Sequence, residues 1–434
     1  MSPVVRTQGG WLRPPLLIAG VALLVVGAWW AFGAWAPGPP RTLAMATGPE
    51  GSAYAVFGAR YRAILARSGV DLRLLPTAGA VENLARLRDA ASGASVAFAQ
   101  AGTATAADAE VLASLGTVFY EPLWLFHRGL DEAGGFAAFR GKRMAIGPEG
   151  SGTRALALRT LALGGIDASS PNLLPLASTE AAARLTRGEI DAAAIVTSWD
   201  SPVVHQLLTT PGVELASFPR ADAHLALNPY LNKLVLPAGV GDLGRNIPPA
   251  DVVLVAPKAS LVVRDDLHPA IQYLLLNAAA EIHSRPGLFQ RAGEFPAPEA
   301  IDLPLSEDAR QFYKSGRPFL QRYLPFWLAV LAERLLVFLV PLVGAVYPLA
   351  RSLPALYAWT MRRRVFRLYG ELKLLEIEVD ERRAAGAAAD DLPARLDDLD
   401  ARASHLRVSR GQAWLAYTLR HHIRLVRDRL EQGS

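Results

Sequence analysis

The pentapeptide Gly-Pro-Glu-Gly-Ser occurs twice, as Gly48-Pro49-Glu50-Gly51-Ser52 and as Gly147-Pro148-Glu149-Gly150-Ser151. Each copy follows a short apolar run with strand character, 42–47 and 143–146, and leads into an Ala/Leu/Arg-rich run with helical spacing, 54–66 and 154–163. A strand, a glycine-rich turn and a helix start gather unpaired backbone N–H groups and a positive dipole end at one point. Such a point holds anions. Two of them predict two lobes that close on one small anionic ligand.

Other chemistries fit the same residues poorly. The 147–152 loop has the glycine spacing of a phosphate-binding loop, but Thr153 and Arg154 stand where Lys and Ser/Thr are required. A G-x-S-x-G elbow fails because Glu149 and Thr153 occupy its glycine positions around Ser151. The 8 histidines show no paired metal spacing, and the adjacent His421 and His422 cannot share one helix face. There is no cysteine, hence no disulfide, thiolate metal site or cysteine nucleophile. No catalytic residues, no metal and no cofactor are expected. The net charge of +5 is modest, its arginines flank the apolar segments, and no aromatic-plus-basic platform is visible, so nucleic acid is not an expected partner.

Polar residues at the ends of the expected strands are more informative. Thr77, Gly79 and Asn83 follow the second strand, Gln100 and Thr103 the third, and Trp199, Asp200 and Ser201 follow 192–196. Hydroxyls, amides and glycines clustered this way form a neutral cradle for a carboxylate or an amino acid. Taken singly, Asn83 reads as a helix-surface residue and Ser52 and Ser151 as helix caps. Glu50 and Glu149 read as capping charges at helix N-termini; facing the cleft instead, they favour a zwitterionic amino acid over a dicarboxylate.

The elements that must position these residues alternate. Strands are expected at 42–47, 71–76, 95–100 and 121–127, with helices at 54–68, 80–91 and 108–115, the pattern of a parallel sheet covered by helices. The pattern restarts with strands at 142–146, 173–177 and 192–196 and helices at 153–163 and 179–186. Strands at 223–227, 234–237 and 252–257 and a helix at 268–284 complete it. Crossings near 125 and 225 place a second lobe (126–224) inside a first (41–125 and 225–320), with the ligand at the carboxyl ends of the strands.

Two apolar segments set the topology. Residues 16–36 are long enough to span a bilayer, and the only good small-x-small cleavage site, Ala34-Trp35-Ala36, is followed by Pro37, which favours an anchor over a cleaved signal. Residues 324–350 form a second span, flanked by Tyr323, Trp327, Tyr347 and Trp359. Arg6 and Arg13 before the first span, and Arg351, Arg362, Arg363, Arg364 and Arg367 after the second, orient both ends toward the cytoplasm. The expected order is a cytoplasmic N-terminus (1–13), transmembrane helix 1 (14–36), a stiff linker (37–40), an extracytoplasmic domain (41–323), transmembrane helix 2 (324–350) and a cytoplasmic part (351–434). In that last part Leu368, Leu372, Leu375 and Val379 make one apolar stripe and Leu392, Leu396, Leu399, Ala403 and Leu406 another. They read as an antiparallel helical hairpin, with a short coiled-coil dimer as the competing reading.

The motifs Ala46–Tyr54 around the first loop, Thr77-Ala78-Gly79-Ala80-Val81-Glu82-Asn83, 96–100, Tyr120-Glu121-Pro122-Leu123, 141–153 and 188–193 together resemble the TAXI type of TRAP-transporter solute receptors, over about 42–320. The resemblance implies an α/β, two-lobed periplasmic-binding-protein-like (type II) domain, here between two transmembrane helices and followed by a C-terminal α-helical cytoplasmic hairpin. It implies a glutamate-like small carboxylate held between closing lobes, and it carries over Ser52, Tyr54, Asn83, Gln100, Ser151 and Thr153 as ligand-lining. Pro49 departs from a frequent glycine and Ala80 from a common serine. The implied role is a solute receptor of the bacterial inner membrane, its main domain periplasmic and both termini cytoplasmic. Its partners are a small organic anion or amino acid, a TRAP-type permease and the lipid bilayer. The alternative is a transmembrane sensor that relays ligand binding to the cytoplasmic helices.

Overall fold

The computed structural model describes residues 23, 25–27, 29–30, 32–34, 38–130, 132–316, 319–320, 323–385, 390–406 and 413–431. Gly38–Ala332 forms one compact unit, and Glu333–Ser434 belongs to a second.

The described residues of the first unit form two five-stranded sheets and a two-stranded one. In one, β1 (Thr42–Ala46), β2 (Asp71–Leu75) and β3 (Val96–Gln100) run parallel, joined by α1 (Ala53–Arg67) and α2 (Ala80–Arg88). β4 (Leu112–Tyr120) and β12 (Lys258–Arg264) complete it in the order β2-β1-β3-β12-β4, with β12 antiparallel to both neighbours. The second sheet contains β5 (Leu123–His127), β6 (Met144–Ala145), β7 (Leu173–Leu174), β8 (Ala192–Val196) and β9 (Glu214–Leu215), ordered β7-β6-β8-β5-β9. α3 (Gly152–Leu163), α4 (Ser178–Thr186), α5 (Pro202–Leu208) and α6 (Ala221–Leu227) accompany it. The antiparallel pair β10 (Asn232–Leu236) and β11 (Val252–Ala256) adds Leu236, Val252 and Leu254 to the core built on Trp124 and Phe126. This is the two-sheet, periplasmic-binding-protein-like α/β arrangement.

Only Glu121 and Pro122 separate β4 from β5, and only Pro257 separates β11 from β12. The Glu121 N–H donates to the Pro257 carbonyl at 2.9 Å, so the two crossings run side by side. A third link lies between α7 (Pro269–His283) and α8 (Glu307–Ser315). Leu288 and Phe289 reach the second lobe's core, while Phe295 returns to pack on Tyr120 at 5.1 Å. Lys258 closes this hinge from below, bonded to both carboxylate oxygens of Glu299 at 2.7 Å.

Three expectations are corrected. The return crossing lies at Pro257 rather than near 225, because β10 and β11 bury their apolar side chains in the second lobe. The expected strand 223–227 is part of helix α6: its alternation of Ala, His and Leu mimicked a strand, but these residues favour helix and Asp222 stands in the first turn. The expected helix 108–115 is a 3-10 turn, Asp108–Glu110, followed by β4. Its Ala/Leu/Asp composition is overridden by burial on both faces, and its outer edge is covered by 297–306, with the Ser114 N–H donating to the Pro304 carbonyl at 2.8 Å and the Thr117 N–H to the Ala297 carbonyl at 3.0 Å.

In the second unit the expected two-helix hairpin gains a third helix. The later part of α9 (Phe326–Ala384), with α10 (Leu392–Ser404) and α11 (Ala413–Glu431), buries Leu368, Leu372 and Leu375 against Leu396, Leu399, Leu419 and Ile423. Both apolar stripes face this shared core. Charged side chains lace its exterior, as in Arg402–Glu371 at 2.6 Å and Arg420–Asp400 at 3.1 Å. Within α9, Phe326–Gly344 is long and apolar enough to cross a membrane, and Leu336, Val337 and Val340 are exposed there. The helix continues through Pro341, Pro348 and the expected end at 350 to Ala384. Of the first apolar segment, parts of a shorter helix within Val25–Ala34 are described; the rest of 14–36, with Arg6 and Arg13, lies outside the described residues.

Leu396 is fully buried among the three helices. Replacement Leu396→Ala is expected to cost about 2–5 kcal/mol, read as accelerated hydrogen exchange in 365–431 with exchange in 42–264 unchanged.

Candidate functional site

The two Gly-Pro-Glu-Gly-Ser loops share their closing turn and differ at their first glycine, where Gly147 takes φ of +86°. Gly51 and Gly150 take φ of +79° and +80°, values that favour glycine. The Ser52 N–H donates to the Pro49 carbonyl at 3.0 Å and the Ser151 N–H to the Pro148 carbonyl at 3.2 Å. Each serine caps the helix that follows, Ser52 Oγ accepting from the Ala55 N–H at 3.3 Å and Ser151 Oγ from the Arg154 N–H at 3.1 Å. Serine rather than glutamate is therefore the cap, and neither helix has an acidic residue in its first turn. Each cap takes one of the orphan N–H groups of its helix start and leaves the others to a ligand.

A cleft partly continuous with solvent lies between the lobes. Of the six residues expected to line it, Ser52, Tyr54, Gln100, Ser151 and Thr153 do so. Asn83 does not. It is fully buried behind the wall, where its Nδ2 donates to the Phe98 carbonyl at 2.8 Å and its Oδ1 accepts from the Thr77 hydroxyl at 2.6 Å. It fastens α2 to β3 rather than lying on a helix surface. Glu50 stands at the cleft, exposed, whereas Glu149 is exposed and outside it.

Two of the five lining residues hold the lobes and their parts together. Gln100 Nε2, at the end of β3, donates to the Gly152 carbonyl of the opposite lobe at 3.1 Å. Beside it the Glu82 N–H donates to the Gly150 carbonyl at 3.0 Å. A Cβ on Gly152 would lie 2.3 Å from Gln100 Oε1 and 3.2 Å from the Ala80 Cβ, so this approach needs glycine. Thr153 Oγ1 accepts from the Val196 N–H at 3.2 Å and ties α3 to the end of β8.

The residue that sequence reasoning missed is Glu121. It lines the cleft at the hinge yet is 3% exposed. Its side chain accepts one hydrogen bond among the described residues, from the Tyr54 hydroxyl at 2.8 Å. Burial pushes its carboxyl up to about 8, against the lowering effect of that bond. Burial and the adjacent Glu121 also push the Tyr54 hydroxyl up, so Tyr54 keeps its proton and donates. Tyr120-Glu121-Pro122 was legible as a motif, but nothing in a single sequence shows that a crossing between sheets would bury it. No Lys, Arg or His lines the cleft among the described residues.

The sequence profile of the NMT1-like family matches residues 45–315. No curated protein sequence matches the chain. Among solved structures, the periplasmic aliphatic sulphonate binding protein of Escherichia coli is 17% identical, with 56% of this chain and 72% of that one covered and a TM-score of 0.35. An ancestral arginine-binding protein bound to arginine is 14% identical, covering 56% and 92%, with a TM-score of 0.37. A histidine kinase sensor domain with similarity to periplasmic binding proteins is 13% identical, covering 56% and 90%, with a TM-score of 0.36. The sulphonate and the arginine are ligands of those proteins.

Two outcomes are expected here. Glu121 binds its proton more tightly folded than unfolded, so its contribution is complete below about pH 4.5 and is lost as pH rises through about 8. The melting temperature of the unliganded chain should fall across that window by about 5 °C or more, and Glu121→Gln should flatten the fall. Gly152→Ala, which suits a helix, should break the Gln100 bond and part the lobes. Because the chain has no cysteine, spin labels on Arg73→Cys and Arg187→Cys report this as a longer interlobe distance by double electron–electron resonance.

Proposed function

The chain belongs to the NMT1-like family, and on that premise we propose that it is a membrane-anchored extracytoplasmic solute receptor. Its cleft takes a small carboxylate or amino acid and its lobes close over it. The observation that carries this reading is the interlobe cleft itself, walled by Ser52, Tyr54, Gln100, Ser151 and Thr153 and crossed at one end by the hinge. Binding of such a ligand between lobes joined by short crossings is hinge closure. The exposed apolar face of Phe326–Gly344 supports a bilayer anchor, and Arg362, Arg363 and Arg364 beyond it support a cytoplasmic C-terminus in a bacterial inner membrane. The TRAP-type permease as partner rests on the motif resemblance.

One observation favours a sensor as the second reading. α9 runs without interruption from Phe326, through the apolar stretch, to Ala384 in the three-helix core. A helix of that kind can pass a displacement along its axis, which a carrier does not require.

The full chain in lipid nanodiscs is expected to melt at a higher temperature with one or more amino acids or dicarboxylates, because ligand binds the folded form. No shift with any small anion or amino acid removes the receptor reading. Deletion of 362–434 then separates the two roles: cellular uptake of the stabilising compound is retained if the chain is a carrier and is irrelevant to a sensor, whose output is lost.

A further inference from the structure

We propose that the ligand carries a protonated nitrogen, as an amino acid does, and that this nitrogen seats on the carboxyl group of Glu121. The inference rests on the receptor reading and narrows its ligand class.

The walls of the cleft differ in charge from what its loops imply. Among the described residues, the titratable groups that line the cleft with Glu121 are Tyr54 from α1, which donates to it, and Glu50 before α1. From the other lobe come Ser151 and Thr153 of the α3 start, Ser178 and Thr179 of the α4 start and Ser201 before α5, hydroxyls without charge. The hinge lysine, Lys258, is committed to Glu299 and packs over Tyr120 and Phe295. A dicarboxylate in this space would bring its charge beside a buried carboxyl group with no cation to offset either.

An ammonium group fits. A carboxylate has about four lone-pair sites, and Tyr54 takes one of them. The ammonium supplies both the missing charge and the donors, while the ligand's own carboxylate is left to the hydroxyls and backbone N–H groups of the opposite lobe. The proton balance is simple. Glu121 holds its proton near neutral pH in the empty cleft; as the ammonium docks, the carboxyl ionises, the ammonium keeps its protons and one proton passes to solvent.

Isothermal titration of the full chain in nanodiscs tests this. L-glutamate, L-arginine and putrescine carry the nitrogen; succinate and propanesulfonate do not. At pH 7, runs in two buffers of different protonation enthalpy should show that the amine probes that bind release up to about one proton, falling toward none by pH 9. Glu121→Gln should weaken them by about tenfold or more, with the two acids binding weakly or not at all. Binding of succinate or propanesulfonate that Glu121→Gln leaves unchanged overturns the inference while the receptor reading stands. Amine binding without proton release overturns it equally, and that measurement needs no variant, so it decides even if Glu121→Gln fails to fold. Silence from every probe of both kinds overturns the receptor reading itself.

Discussion

A single backbone hydrogen bond, from the Glu121 N–H to the Pro257 carbonyl, fixes where the two lobes can meet. It holds side by side two short crossings between the lobes, one of two residues and one of a single proline. Prolines at both crossings restrict the backbone there, so the joint pivots rather than unravels. The position of every cleft residue relative to the other lobe is inherited from this joint. A carboxyl group placed at this joint is buried, 3% exposed and bonded to the Tyr54 hydroxyl. The most costly ionisable group of the cleft is thus a by-product of hinge geometry.

Local physics was largely readable before any coordinates. The strand–loop–helix units around both serines, the helices 54–68 and 268–284, and the leucine stripes of the C-terminal helices depend on spacing within a dozen residues, and they stand as read. What was not readable depends on partners far away in sequence. β4 is a strand because β12 and the 297–306 segment flank it, although its opening residues favour helix. The return crossing was misplaced because β10 and β11 have no local mark of the lobe they join. Asn83 looked like an exposed helix residue, and only the fold shows it buried between α2 and β3.

The same division holds for the cleft. Five of the six residues named from motif resemblance line it, yet their polar atoms serve the framework more than was foreseen, as caps, as a clasp and as a helix tie. Hydroxyls at strand ends advertise themselves in a sequence; the use they are put to does not. Glu121 was hidden for the opposite reason. A glutamate before a proline is unremarkable until two sheets converge on it.

The contact between Gln100 and Gly152 is made of an amide and a backbone carbonyl, and its neighbour, Glu82 N–H to the Gly150 carbonyl, is backbone alone. Neither carries net charge, so ionic strength has little purchase on them. A ligand larger than the mouth of the cleft needs this clasp to open before it enters. Association is then paced by that opening, slower than free encounter, and the fraction of time spent open scales the apparent affinity directly. Selectivity lies in the walls, and timing lies in two neutral hydrogen bonds at the rim.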